Sequence, residues 1–281
     1  MLFWGFSFIL TSIVFRYYSP VTTVFLRLLI SSAILFLGIV LFGKLEKIKK
    51  GDLKLFLLSA LFNPFFYFIG ESYGLKLTSS TITSAIIATI PLFTPVAAYL
   101  ALGEKMGRLN ILGLLISFIG VMVMILNKDL SFSASPMGVL YLFFAVASAI
   151  VYMIFLKKLS HRYSAYFIIA LQNLLGAIYF LPFFLIFDFQ EFIAVKPDLT
   201  LVISLLSLAI FCSSLAYVFF TISTREIGIG RTNVFANLIP VFTAVFSYLI
   251  LSEFFSLHKI LGILLIVFGL YLSQLKVKNV E

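Results

Sequence analysis

The side chains with most chemistry to offer are an acid and a guanidinium set in apolar surroundings. Glu71 lies in the run 53–75 and Arg27 in the run 20–43, and both runs are otherwise strongly apolar. A charge in such a setting binds an opposite charge or exchanges a proton, because leaving it alone is costly. Asn63, Tyr67 and Glu71 stand at i, i+4 and i+8, which places them on one helical face. Counted from the same side of their segments, Glu71 is about 7 Å deep and Arg27 about 10 Å deep at 1.5 Å per residue. Three readings follow. The two form a fixed ion pair; they hold substrate charge or a proton; or Arg27 reaches outward to water.

Other polar groups sit in apolar runs. Gln172 and Asn173 are mirror-placed relative to Arg27, and they either line a cavity or satisfy neighbouring backbone. Ser84 and Pro91 stand in the run 78–102, as Asn233, Asn237 and Pro240 stand in the run 228–251. Each proline removes a backbone donor and frees a carbonyl one turn earlier, which a substrate, a water or a neighbour can use. Trp4, Tyr73, Glu104 and Glu253 are placed as candidates for the mouths or gates of a passage, the glutamates also as interfacial partners of nearby cations. No phosphate-binding loop, HExxH or GxSxG occurs. His161 and His258 fall in loops at opposite faces, and Cys212 is the single cysteine, so neither a metal site nor an internal disulfide is expected. No cofactor is expected.

These residues must be positioned by helices in a bilayer. The chain of 281 residues is 62% hydrophobic and 11% charged. Its apolar runs are continuous rather than alternating, against a β-barrel. Ten runs approach the roughly 20 residues of a spanning helix: 2–15, 20–43, 53–75, 78–102, 109–126, 136–156, 164–187, 199–222, 228–251 and 258–275. The first lacks the basic start and the cleavage site of a signal peptide and is read as a helix. With the N-terminus inside, the inner loops and tail carry 14 Lys and Arg and the outer loops 5. That bias orients both termini to the cytoplasm of a cell membrane. The net charge of +9 reads as topology, not as a nucleic-acid surface.

The chain is a duplication. Ile90-Pro91-x-Phe93-Thr94-x-Val96 recurs as Ile239-Pro240-x-Phe242-Thr243-x-Val245, an offset of 149 (240 − 91). Tyr99, Leu100, Leu102 and Glu104 continue the match with Tyr248, Leu249, Leu251 and Glu253. Gly113 and Gly120 likewise match Gly262 and Gly269. Five helices per copy is an odd number, so the second copy enters from the opposite face. The expected fold is an all-α integral membrane protein of ten transmembrane helices in two inverted five-helix repeats, 1–127 and 136–276. Interrupted apolar segments at matching places in two halves point to a transporter's binding site. The paired glycines pack helices within the chain or form a homodimer face.

In these residues the chain resembles the drug/metabolite transporter superfamily, in particular EamA-type ten-helix transporters. The resemblance rests on Trp4-Gly5-Phe6-Ser7-Phe8, Ser19-Pro20 through Leu26-Arg27, Gly70-Glu71-Ser72-Tyr73-Gly74 through Ser79, and the repeated Pro…Glu…Gly pattern. It covers essentially the whole chain. It implies a secondary carrier, often an exporter of amino acids, related metabolites or drugs. It also implies a central cavity lined mainly by helices 3, 4, 8 and 9, with 1 and 6 contributing. The expected partners are the lipid bilayer and a small-molecule substrate, with protons as coupling ion or facilitation without one. Cargo is expected to enter past Trp4 and Asn237 and to leave past Tyr67, Tyr73 and Glu71. A membrane receptor that binds without moving its ligand and an intramembrane enzyme are the alternatives.

Overall fold

The computed structural model describes residues 1–93, 108–125, 134–228, 232, 235–252 and 256–274. Among them ten apolar helices follow in order: α1 Leu2–Val14, α2 Pro20–Leu41, α3 Asp52–Leu77, α4 Ser80–Phe93, α5 Arg108–Ile125, α6 Pro136–Ser160, α7 Ala165–Ala194, α8 Leu199–Ile227, α9 Ile239–Leu251 and α10 Leu257–Gln274. No strand is present among the described residues. Helices α2, α3, α6, α7 and α8 are long and apolar enough to cross a membrane.

In so apolar a chain, few polar residues can say where a helix begins. Ser19, Ser79, Ser135, Ser164 and Asp198 do so, each accepting a hydrogen bond from the backbone N–H three residues on. Pro20 and Pro136 follow two of these caps in the first turn, where a missing N–H costs nothing. The bundle is apolar outside and partly polar inside. Leu37, Leu140 and Leu249 are more than 60% exposed, whereas Arg27 is 1% and Ser213 0% exposed. That distribution suits a hydrocarbon solvent, which accepts leucine and penalises an unpaired polar group.

The two halves are related by an inverting twofold. The N-caps of α2 and α7 set their offset at 145 (164 − 19), so Leu28 and Ser31 correspond to Asn173 and Gly176. Asn173 donates to Ser31 Oγ, and Gly176 lies against Leu28. Each contact is the image of the other, and the two helices run antiparallel. Helices α5 and α10 repeat the pattern at 149. Gly113 packs on Gly269 and Gly120 on Gly262, again images of one another. Equivalent helices that pack antiparallel belong to inverted copies. This also corrects one reading of the glycines: their close faces are occupied within the chain and are not free for a second copy.

The long helices are not continuous. Helix α3 is kinked within Leu61–Phe66, and widened turns of π-helix interrupt α7 at Phe184–Asp188 and α8 at Leu208–Leu215. The first and last fall at matching places in the two halves. In α3 the chain becomes extended at Asn63 (φ −146°, ψ 115°), just before Pro64, so the run 53–75 is not the single smooth helix its composition suggests. The prolines that interrupt the two matching apolar runs stand at helix starts. Helix α4 breaks at Ala88–Thr89, two residues before Pro91, and Pro240 lies in the first turn of α9 after a short 3-10 turn, Phe235–Leu238. Proline is tolerated there because the donor it lacks has no partner in a first turn.

Candidate functional site

Between the halves lies a cavity with about 70 Å³ open to the centres of water-sized molecules. That is room for a few waters rather than for a metabolite, so the cavity stands in a narrow state. Helices α1, α2, α3, α4, α6, α8 and α9 contribute to its wall, together with Ala236. The wall straddles the twofold. Phe68 and Tyr217, Glu71 and Phe220, Ile87 and Ala236, and Ile90 and Ile239 are pairs at offset 149, and every member lines it. One repeat therefore supplies the charge and the other its aromatic counterpart.

Arg27 enters from α2. Its Nε donates to Ser213 Oγ at 2.8 Å, and its Cζ lies 4.6 Å from the centre of the Phe68 ring. The aromatic face offsets part of the cost of burying a cation. Ser213 sits in the widened turn of α8, which turns its side chain toward α2. Glu71 enters from α3, 7% exposed, and accepts a hydrogen bond from Tyr67 at 2.8 Å. The i, i+4 spacing delivers that contact. Asn63 reaches the same wall from its extended backbone, not from the helical face that spacing alone implied. Gly70 lets α6 approach closely, its absent Cβ leaving room for the Ala145 backbone. Glu71, one residue on, turns to the cavity.

Arg27 and Glu71 share this wall without an ion pair. Ion pairs instead join Asp52 to Arg162 and Arg225 to Glu226, both at the ends of helices. Arg27 is buried and turned inward, not reaching out to water.

The remaining residues singled out in the sequence divide into three groups. Trp4 and Pro91 line the cavity. Trp4 packs at 5.1 Å on Tyr217 and on Phe220, and with Phe220 it also borders a second cleft of about 270 Å³ beside Met1 and Ile227. Gln172, Asn173, Ser84, Pro240 and Tyr73 do not line it. Gln172 donates to Ser59 and accepts from Tyr152. Asn173 donates to Ser31 and to the Ser213 carbonyl, a group loosened by the widened turn of α8. These amides tie α7 to its neighbours. Ser84 bonds back to the Thr81 carbonyl, and Tyr73 stacks on Tyr141. Asn233, Glu104, Glu253 and the side chain of Asn237 lie outside the described residues.

Sequence reasoning passed over Phe8, Phe68, Tyr152, Tyr217 and Phe220 as wall residues, since aromatics are everywhere in this chain. It also passed over Ser213 and Asp188. Asp188, 8% exposed, accepts from the backbone N–H and hydroxyl of Thr22 and from Ser19, so it caps α2 from α7. The signal for Ser213 was available in the adjacent pair Ser213-Ser214 within an apolar run.

The comparisons with known proteins agree with this architecture. The model of the EamA-like transporter family matches twice, over residues 1–126 and 136–275. An uncharacterized transporter of Bacillus subtilis, YvbV, is 30% identical over 99% of this chain and 90% of its own length. An uncharacterized transporter of Archaeoglobus fulgidus is 26% identical over 96% of this chain and 94% of its own. A solved structure described only as a protein superposes with a TM-score of 0.72 over 97% of this chain and 92% of that one, at 17% identity, which speaks for the fold alone. A duplicated bundle of ten apolar helices with a polar centre, matched by this family model over almost its whole length, is a multi-pass membrane protein of the EamA-like transporter family.

Proposed function

We propose that the protein is a secondary carrier that moves a small amphipathic metabolite across the cell membrane by alternating access. The observation that carries this reading is the position of the cavity on the inverting twofold. Equivalent residues of opposite halves form one wall, so a rocking of the halves that opens one face has a mirror motion that opens the other. Aromatic side chains suit an apolar body, and Arg27, Glu71 and Asn63 suit a polar head. The cleft beside Trp4 and Phe220 supports a route from the face that holds the N-terminus. The surplus of Lys and Arg in the loops on that face favours the cytoplasm, with both termini inside. Export is the direction that the family resemblance favours, with Glu71 as the carboxylate available for proton exchange.

The test is flux. Liposomes holding the purified protein and a defined mixture of amino acids, monocarboxylates and amines are followed for efflux by mass spectrometry. Selective efflux that falls at least about tenfold in Glu71→Gln supports the reading; an effect of that size is ordinary for a buried charged contact. A protein that binds a solute and releases none from liposomes is a receptor, and the carrier reading fails.

A further inference from the structure

Two buried donors in the cavity wall have no acceptor. Arg27 Nη1 and Trp4 Nε1 are both shielded and both without a hydrogen-bond partner. Buried donors in native proteins are almost always paired, so each orphan needs an explanation. Two in one cavity point to a group that arrives with oxygen acceptors. Arg27 is 1% exposed, and its Nε is already held by Ser213. Its orientation is thus fixed before anything binds. Glu71 does not pair with it, and one Glu71 oxygen is taken by Tyr67.

We propose that the cargo carries a carboxylate and that Arg27 is the residue that selects it. This rests on the cavity being the cargo site. A carboxylate oxygen accepts from Nη1, a charge-assisted bond that a planar, preset guanidinium makes well. Its arrival gives a direct partner to a buried cation whose own contacts are a serine and an aromatic face, with Glu71 acting on it only across the cavity. An ammonium head would leave Arg27 Nη1 and Trp4 Nε1 without acceptors and could address only the Glu71 side of the wall. The apolar body of the cargo packs between Phe8, Phe68 and Tyr217, with Trp4 Nε1 serving a second oxygen.

The test compares three probes with one body and three heads: 3-phenylpropionate, phenethylamine and 3-phenylpropanol. Each is titrated against the purified full chain, with binding read by isothermal calorimetry. The expected result is that 3-phenylpropionate binds at least about tenfold tighter than the others, the weight of one charged hydrogen bond. Arg27→Gln abolishes that preference and Trp4→Phe weakens it. If Arg27→Gln does not fold, as judged by gel filtration and helical circular dichroism, Arg27→Lys serves in its place. A point charge without the planar fork gives a reduced preference. Equal affinity for the three, preference for the amine, or no binding of 3-phenylpropionate up to its solubility overturns the proposal; the donors are then served by water only. Flux separates the two readings. The expected preference without transport leaves the carboxylate site standing and removes the carrier. Transport of phenethylamine untouched by Arg27→Gln does the reverse.

Discussion

Asn173 donates to Ser31 Oγ at 2.7 Å and to the Ser213 carbonyl at 3.1 Å, all within the bundle. Removing it strands a buried carbonyl, which costs about 1–3 kcal/mol. Asn173→Ala is therefore expected to lower the unfolding free energy by that amount in a denaturant titration and to leave the affinity of the cavity for its cargo within about threefold. Glu71→Gln is expected to do the opposite, keeping stability while depressing flux. Equal effects of the two on stability would mean that Glu71 is a packing residue as well. The sequence announced Asn173 and Glu71, since an amide or an acid in an apolar run is conspicuous, but not the serines that meet them. It did not announce which of them face the cavity, because facing depends on helical phase. A kink in α3 and a widened turn in α8 shift that phase; the pair Asn63-Pro64 marks the first in the sequence, and nothing in the composition of Leu208–Leu215 marks the second. Asn63 reached the cavity from the break in its helix, while Asn173 turned to its neighbours from a regular stretch of α7.

At the level of helices, α5 and α10 touch backbone to backbone. A Cβ on Gly120 would lie 2.8 Å from the Gly262 carbonyl oxygen, with no flexible atom to yield. Gly120→Ala is expected to cost about 1–3 kcal/mol through overpacking. Gly38 in α2 has nothing within 4 Å of its missing Cβ. Gly38→Ala should be neutral or stabilising by up to about 1 kcal/mol, since alanine gives up less backbone freedom in a helix. Thermal unfolding of the pair in one detergent decides; a destabilised Gly38→Ala would mean that α2 packs more tightly than its surroundings show. The helices and their inversion were legible because length, hydropathy and the 149-residue repeat are properties of the chain alone. The role of the prolines was not. Pro91 and Pro240 look like kinks inside long apolar runs, and only the breaks before them reveal first-turn residues. Pro240→Ala should thus alter stability by less than about 1 kcal/mol, where a proline within a continuous helix would be worth several.

Over the whole molecule, each end of the bundle is held by a clamp, and the clamps are images. Tyr17 stands two residues before the N-cap of α2, and Arg162 two before the N-cap of α7. Tyr17 donates to Asp198 at the start of α8 at 2.7 Å, and Arg162 pairs with Asp52 at the start of α3, where Tyr163 donates to Asp52 at 2.8 Å. The two lie at opposite ends of α2. On the proposed alternating access the two would release in turn, and the narrow cavity fits a state with both engaged. The lone cysteine reports on one of them. Cys212 is fully buried in a cluster of α1 and α8 side chains that Tyr17 packs against. Tyr17→Phe is expected to speed alkylation of Cys212 by a membrane-permeant maleimide, and Tyr163→Phe to leave it unchanged or slow it. The pH dependence follows from the charges. The Leu201 N–H and the Tyr17 hydroxyl hold the Asp198 carboxyl below its ordinary 3.8, so the contribution of the clamp is full above that value and lost as pH falls through the lower one. The bond to Asp198 holds the Tyr17 hydroxyl above its ordinary 10.0, so that contribution is full below 10.0 and lost as pH rises through the higher value. Between these limits the alkylation rate, corrected for maleimide reactivity with a free thiol, should be level in the parent chain. Below them, toward acid, it should climb to the rate of Tyr17→Phe. Equal acceleration by Tyr17→Phe and Tyr163→Phe would mean that the bundle loosens as one body, and the two ends could not then serve as alternate gates.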